Sequence, residues 1–121
     1  MKIILKIISQ VPISASIGNM SNLAELLLYE NKLSRSIPTI IGQMANLSRL
    51  ILTENKVFGS IPTTIGNLTK LTYLSLMMNK LNGSLPEELG LLKHLSTVQL
   101  ASNNLCGAIN PFFHRNDACL C

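Results

Sequence analysis

The sequence predicts an α/β solenoid built from about four 24-residue repeats. Glycines in Ile-Gly or Leu-Gly steps and a column of asparagines both recur at this interval, and apolar residues recur in phase with them. Such periods are typical of folds in which each unit buries its apolar edge against its neighbours. The two columns are Gly18, Gly42, Gly66 and Gly90, and Asn31, Asn55, Asn79 and Asn103.

Each repeat carries one short strand just before its asparagine. Apolar residues alternate there with period two, which predicts one inward-facing face and four parallel strands in a single sheet. The inward pairs are Leu26/Leu28, Leu50/Leu52, Leu74/Leu76 and Val98/Leu100. An amide side chain placed where the chain turns can satisfy backbone groups that lack sheet partners, so we expect the asparagine column to be structural.

A bend and a short helix or 3₁₀ turn follow each asparagine, on the convex side. Gly59-Ser60-Ile61-Pro62 and its equivalents supply a tight bend and then a proline suited to a helical first turn. The turns end near Met44, Leu68 and Leu92. Arg35 replaces the glycine in the first repeat, so we expect that bend to be the least regular.

Three segments result: a degenerate repeat or N-terminal remnant at 1–12, the solenoid at 13–110, and a cysteine-containing tail or cap at 111–121. Projecting the period backwards places Lys2, Ile4, Ile7 and Ser9 at two core positions, the asparagine position and a final leucine position. The alternative interpretation of this end is a signal peptide. Lys6 breaks its apolar run, which is shorter than the usual about 7 to 15 residues.

Composition and motifs argue against several function classes. The net charge of +4 is spread without a basic stripe, which does not favour nucleic-acid binding. No segment reaches the roughly 18 apolar residues of a membrane-spanning helix. His94 and His114 stand in no nucleophile–base constellation, and Cys-x-Cys with one histidine lacks the spacing of a zinc site. We therefore expect no enzyme activity, metal or cofactor.

The outward strand positions predict a partner-binding surface. Polar residues are the default on such a face, but three consecutive strands here carry apolar ones, and exposed apolar patches often mark binding sites. The predicted patch is Leu27, Tyr29, Ile51, Tyr73, Met77 and Met78, with Glu25, Glu30, Arg49 and Glu54 at its rim. Relaxed drift of these positions in a fragment is the alternative explanation.

The chain carries four N-x-[ST] sequons and three cysteines near its end, which offer glycosylation sites and a disulfide if the protein is secreted. The candidate glycosylation sites are Asn19, Asn46, Asn67 and Asn82, none on an outward strand position. A disulfide from Cys106 to either Cys119 or Cys121 would staple a terminal cap, whereas Cys119 to Cys121 is sterically poor. The odd count leaves one thiol over.

The full repeat, N-L-x-x-L-x-L-x-x-N-x-L-x-G-x-I-P-x-x-I-G-x-L, runs almost whole from Asn46 to Leu68 and again from Leu71 to Leu92. It resembles the plant-specific leucine-rich repeat found in extracellular parts of receptor-like kinases, receptor-like proteins and polygalacturonase inhibitors. The resemblance implies a right-handed solenoid, an extra short strand near G-x-I-P, and an extracellular or cell-surface location.

The resemblance also implies a function in binding. Its members bind peptides, hormones, co-receptor ectodomains or microbial proteins, so the partner expected here is a protein or peptide ligand, with a co-receptor ectodomain among the options. The chain resembles the last repeats of a receptor-like ectodomain acting in signal perception. The alternatives are a secreted, polygalacturonase-inhibitor-like cell-wall protein and a truncated gene product without independent function.

Overall fold

The structure, a computed structural model, describes residues 2–4, 22–28 and 33–105. Two parallel sheets and three 3₁₀ helices alternate along the chain, which confirms the predicted repeat solenoid. The concave sheet consists of β1 (Lys2–Ile4), β2 (Glu25–Leu27), β3 (Arg49–Ile51), β5 (Tyr73–Ser75) and β7 (Thr97–Gln99). The second sheet consists of β4 (Phe58–Gly59), β6 (Lys80–Gly83) and β8 (Asn104–Leu105). The 3₁₀ helices span Thr39–Gln43, Thr63–Asn67 and Glu87–Leu91.

The register of the concave sheet follows the 24-residue period. Leu26 lies opposite Leu50, and Leu50 lies opposite Leu74, so equivalent residues of successive repeats stack in columns. A column of identical inward positions buries apolar surface along the whole stack, at roughly 25 cal/mol per Å². The predicted inward residues of all four repeats are buried, from 0% to 5% exposed.

The concave sheet has one strand more than the four that the repeats predict. β1 pairs in parallel with β2, and its register places Ile3 opposite Leu26. The 24-residue projection, which places Lys2 opposite Leu26, is therefore wrong by one residue. Ile3 and Leu26 are 23 residues apart rather than 24. This shorter interval places an isoleucine, instead of Lys2, opposite the first leucine of the column.

The 3₁₀ helices stack through their glycines. A Cβ atom added to Gly66 would lie 2.7 Å from the Glu88 Cβ and 2.9 Å from the Glu88 carbonyl oxygen, and one added to Gly42 would lie 2.8 Å from the Thr64 Cβ. Real Cβ atoms do not approach other atoms this closely. The 24-residue glycine interval therefore reflects the close approach of successive repeats on this side.

The prolines lie one residue before each 3₁₀ helix rather than at its first residue. Pro62 has φ −69° and ψ 145°, so its backbone is extended, and its carbonyl accepts a hydrogen bond from Ile65 N at 3.1 Å. Pro38 and Pro86 make the same bond at the same distance. The ring fixes φ where the chain turns from the second sheet into the helix, without losing a needed donor.

Strands β4 and β6 of the second sheet end at a left-handed bend. Gly59 and Gly83 have φ of 80° and 77°, values that suit glycine. Arg35 adopts φ 68° at the equivalent position of the first repeat. The first bend thus keeps the left-handed backbone conformation of the other repeats. It does so at an arginine, although residues with a Cβ atom rarely adopt this conformation.

The ladder asparagines connect each repeat to the one before it. Asn79 Oδ1 accepts a hydrogen bond from Val57 N at 3.1 Å, and Asn79 Nδ2 donates to Leu52 O at 2.8 Å. The same Nδ2 contacts two carbonyl oxygens of its own repeat, Leu76 O at 3.1 Å and Met77 O at 3.0 Å. One side chain thus serves backbone groups of two repeats.

Asn55 and Asn103 make the corresponding bonds one repeat earlier and one repeat later. Their Oδ1 atoms accept from Leu33 N at 3.1 Å and from Leu81 N at 3.0 Å. Their Nδ2 atoms donate to carbonyl oxygens of the preceding repeat at 2.6 Å and 2.8 Å. Asn31, the first member predicted for the column, lies outside the described residues.

The residue before each of these three asparagines has a left-handed backbone. Glu54, Met78 and Ser102 have φ of 58°, 57° and 60°, and none of them is glycine. Such conformations cost on the order of 1 to 3 kcal/mol and persist where surrounding contacts determine them. The asparagine hydrogen bonds immediately after each strained residue supply those contacts.

Replacing Asn79 with Ala should lower the free energy of unfolding by about 1 to 3 kcal/mol, because it leaves buried backbone groups without their partner. Urea unfolding followed by circular dichroism measures the change. The matched control is Asn82→Ala, since Asn82 is exposed, and it should change stability by less than about 0.5 kcal/mol. Equal stability of the two variants would contradict a structural role for Asn79.

Replacing Gly66 with Ala should also destabilise the fold, by about 1 to 3 kcal/mol, because the added methyl group forces two repeats apart. Thermal unfolding measures the effect. Thr63→Ala is the control, since Thr63 is an exposed residue of the same 3₁₀ helix. A Gly66→Ala variant as stable as the control would show that the close approach at this glycine is not needed.

Candidate partner-binding surface

The outward residues of the concave sheet lie in rows across the strands. The first row contains Glu25, Arg49, Tyr73 and Thr97, which are register partners in β2, β3, β5 and β7. The second row contains Leu27, Ile51, Ser75 and Gln99. The rows bring side chains 24 residues apart into contact, as the period predicts.

Polar contacts connect residues of the first row and join Tyr73 to Gln99 of the second row. Arg49 Nη1 lies 4.0 Å from Glu25 Oε1, and the Arg49 guanidinium carbon lies 5.0 Å from the centroid of the Tyr73 ring. Tyr73 Oη in turn lies 3.1 Å from Gln99 Oε1, to which it donates a hydrogen bond. A cation over an aromatic face is worth about 0.5 to 1 kcal/mol where it is exposed to solvent. These contacts hold Arg49 between Glu25 and Tyr73, its neighbours in the first row.

Leu27 does not belong to an exposed patch. Its side chain is only 6% exposed, so its predicted place on the binding surface is wrong. β2 is an internal strand of the sheet, and Leu27 lies in register between Ile51 on one side and Ile4 on the other. Neighbouring strands on both sides therefore limit its contact with solvent.

Ser75 lies in the same row and is also buried, at 1% exposure. Its Oγ atom lies 2.7 Å from Thr53 Oγ1, so the two hydroxyl groups satisfy each other across adjacent repeats. The register places Ser75 opposite Ile51, so Thr53, two residues further along, is its diagonal neighbour. A hydroxyl residue 22 positions after another is the only sequence signal for this pair.

Met77 and Met78 lie beyond the end of β5 rather than on the strand. Met77 is half-buried, and Met78 is 45% exposed. Their carbonyl oxygens accept hydrogen bonds from Glu54 N at 3.0 Å and Asn55 N at 3.2 Å. The two methionines therefore stand on a hydrogen-bonded turn, and exposed Glu54 occupies the position equivalent to Met78 one repeat earlier.

The residues that stay at least partly exposed are Ile51, Tyr73, Met77 and Met78, here called the concave cluster. Arg49 lies beside it in the same sheet. Tyr29 and Glu30, also predicted for this surface, lie outside the described residues. The surface is thus narrower than predicted and borders the polar residues Ser75 and Gln99 of the second row.

The sequons lie away from the concave sheet. Asn67 is an exposed residue in a 3₁₀ helix, and Asn82 is exposed on β6. Asn46 is half-buried, and its Oδ1 accepts a hydrogen bond from Lys70 Nζ at 2.7 Å. Asn19 lies outside the described residues, as do the three cysteines, Cys106, Cys119 and Cys121.

The described residues contain no group of three or more metal-binding side chains. Within the same part of the chain, no helix has the length and apolar character needed to cross a membrane. What the surface offers is an apolar cluster, an aromatic ring beside a guanidinium group, and several hydroxyl and amide groups. This arrangement is suited to noncovalent binding.

The family profile for the Leucine Rich Repeat matches residues 46–68 and 70–92. No curated protein sequence matches the chain. Solved structures do match it, and they include several ectodomains of plant receptor kinases.

A chain of the BIR3–SERK2 complex from Arabidopsis thaliana is 39% identical, with a TM-score of 0.82 over 88% of this chain and 58% of that one. The ectodomain of the receptor kinase SOBIR1 from the same plant is 37% identical, with a TM-score of 0.77 over 81% of this chain and 54% of that one.

A third match is to the Arabidopsis receptor kinase HAESA in complex with the peptide hormone IDA and the co-receptor SERK1. It is 36% identical, with a TM-score of 0.78 over 81% of this chain and 16% of that one. The chain therefore spans less than two thirds of each of these relatives. Its repeat pattern, its two parallel sheets and these similarities together place it in the leucine-rich-repeat family, alongside the extracellular domains of plant receptor kinases.

Proposed function

We propose that this chain binds a peptide or protein partner through the concave cluster, as part of an extracellular leucine-rich-repeat module in plant signal perception. The observation that carries the proposal is the position of Met78. It is one of the exposed large apolar residues of the described chain, and it lies beside the half-buried Met77 on the turn that follows β5. Glu54 occupies the equivalent position one repeat earlier and has the same left-handed backbone. The fold therefore does not require methionine at position 78.

The contacts next to Met78 favour a peptide as the partner. Half-exposed aromatic and methionine side chains give adaptable apolar contact, which suits ligands of varied sequence. Arg49, Tyr73 and Gln99 supply polar groups in the same sheet, and their guanidinium, hydroxyl and amide groups can pair with peptide groups. Similarity to HAESA, whose structure contains a peptide hormone and a co-receptor, supports both kinds of partner.

An extracellular location accompanies this proposal. The similar structures include receptor ectodomains, and the exposed sequon residue Asn67 lies in a 3₁₀ helix, where a glycan would leave the concave cluster open. We propose Asn67 as an N-glycan acceptor on the same basis. The function is binding alone, with any chemistry residing in a partner or in a longer parent protein.

The test uses variants in which a residue is replaced by its equivalent from another repeat, so that the fold has already accommodated the substitution. Ile51→Gln copies Gln99, and Met78→Glu copies Glu54. Purified chain is used to select binders from a displayed library of random peptides, and the SERK1 ectodomain serves as a separate protein probe. Affinities are then measured by biolayer interferometry.

We expect each of the two substitutions to weaken binding of selected peptides by about tenfold or more, which corresponds to about 1.4 kcal/mol. Thr63→Glu, on the convex side, should leave the affinity within about twofold. Unchanged melting temperatures of all variants would show that the effect is local. If every selected binder keeps its affinity for both concave variants, the concave cluster is not the binding surface.

A further inference from the structure

The outer face of the second sheet carries a separate set of exposed residues. Lys56 and Phe58 are exposed, while Val57 between them is buried at 1%. In the next repeat Lys80 and Asn82 are exposed, while Leu81 between them is buried. Strand alternation therefore points Lys56, Phe58, Lys80 and Asn82 away from the core, on one face. This set is called the lateral face.

Phe58 is unusual on this face. It is 49% exposed, which is a large apolar exposure for a residue on a sheet. In backbone register it lies opposite Lys80 of the next repeat. The equivalent residues of the neighbouring repeats are Ser34 and Asn82. The repeat fold therefore accepts small polar residues at this position, and the phenylalanine is a feature of this chain.

The two lysines are close neighbours through the backbone. Lys80 N donates to Val57 O at 2.8 Å, just as Lys56 N donates to Leu33 O at 2.7 Å. Lys80 lies opposite Phe58, and Lys56 comes two residues before Phe58, so the two lysines are diagonal neighbours. Diagonal neighbours in a sheet lie about 7 to 8 Å apart, within reach of long side chains, so the two ammonium groups can reach a single anionic group. Exposed Arg35 adds a third cation, and its carbonyl oxygen accepts a hydrogen bond from Phe58 N at 3.1 Å.

The lateral face has no compensating acid within the described residues. Glu25 lies in the concave sheet beside Arg49, and Glu54 lies in the turn before Lys56. Glu87 and Glu88 lie in the third 3₁₀ helix. No described carboxylate comes within ion-pairing distance of Lys56 or Lys80. The face thus combines net positive charge with one exposed aromatic ring.

We propose that the lateral face docks an extended acidic protein segment in which a carboxylate and an apolar side chain stand two residues apart. The spacing follows from the pattern of exposure: Lys56 and Phe58 are exposed on either side of the buried Val57, at the start of β4. Alternate side chains of an extended partner, about 6.6 Å apart, match two residues in this arrangement. The carboxylate lies between Lys56 and Lys80, and the apolar side chain packs on Phe58. Charge complementarity guides the encounter and the apolar contact sets the register.

This docking site is separate from the concave cluster, because its residues belong to the second sheet and the residues just before it, whereas those of the cluster belong to the concave sheet and the turn after β5. A polyanion without peptide groups would use the lysines but would place no apolar side chain on Phe58. The requirement for Phe58, and for a fixed spacing in the partner, therefore distinguishes a protein segment from an anionic polysaccharide.

The test measures binding of three probes to the full chain by isothermal titration calorimetry. The first is a synthetic peptide that repeats Glu-Ser-Leu-Ser, so that glutamate and leucine lie two residues apart. The second has the same composition but groups its glutamates and its leucines in separate blocks. The third is alginate, an anionic polysaccharide.

The variants again copy neighbouring repeats. Lys56→Asn combined with Lys80→Asn copies Asn104, and Phe58→Asn copies Asn82. Lys93→Asn is the control, since Lys93 is an exposed lysine on the turn after the third 3₁₀ helix. Melting curves of all variants establish that each is folded.

We expect the alternating peptide to bind at least tenfold more tightly than the block peptide, and its affinity to fall as salt rises. The double lysine variant and Phe58→Asn should each weaken it at least tenfold, while Lys93→Asn should stay within about twofold. Equal binding of the two peptides, binding of alginate alone, insensitivity to Phe58→Asn, or no binding of any probe would each overturn the proposal. Ile51→Gln, which tests the concave cluster, should leave binding of the alternating peptide unchanged. The proposal for the lateral face can therefore fail or succeed separately from the proposal for the concave cluster.

Discussion

The interaction on which the rest of the structure depends is the bridge that each ladder asparagine makes between two repeats. A solenoid has no central core, so its stability is the sum of what each repeat contributes and what joins it to its neighbours. Asn79 joins the turn of its own repeat to the backbone of the previous one through its Oδ1 acceptor and the two N–H donors of Nδ2, which are shared among three carbonyl oxygens. Each such bond is worth about 0.5 to 1.5 kcal/mol net, and leaving the buried groups unpaired costs more than that.

These bridges also permit the strained turn that carries the binding residues. Glu54 and Met78 have left-handed backbones immediately before their asparagines. Without bonds to fix the chain there, an ordinary side chain would relax to a commoner conformation. Met78 is held exposed at the end of the concave sheet because the next residue is anchored on both sides. A proposed binding residue, Met78, is thus followed directly by a structural one, Asn79.

The two sheets divide the exposed surface into faces of different chemistry. The concave sheet presents apolar and neutral polar groups, with Arg49 held between Glu25 and Tyr73. The second sheet presents lysines and a phenylalanine over a buried valine and leucine. Because the inward positions of both sheets are fixed by packing, the outward positions are where the sequence is free to vary. Both proposed partners are accordingly assigned to outward residues.

The sequence predicted the fold closely because the period fixes strands, turns and inward residues at once. Leu50 and Leu74 are 24 residues apart and lie opposite each other in adjacent strands, as the repeat period predicts. The exposure of outward residues was harder to predict. Leu27 follows the alternation of an outward position but is covered by strands on both sides, and β1, which supplies one of them, is offset by one residue from the 24-residue period. The lateral face was missed because no single repeat carries it: it arises from one lysine in each of two repeats and a phenylalanine in only one.

The most direct test of the account is native-state hydrogen exchange, measured by NMR, at Val57 and Leu81. Their amide groups donate to the Oδ1 atoms of Asn79 and Asn103 rather than to a backbone carbonyl. If the asparagines bridge the repeats, these two amides should exchange as slowly as those of β3 and β5, since they open only when the stack opens. Exchange as fast as that of exposed turn amides would contradict the account.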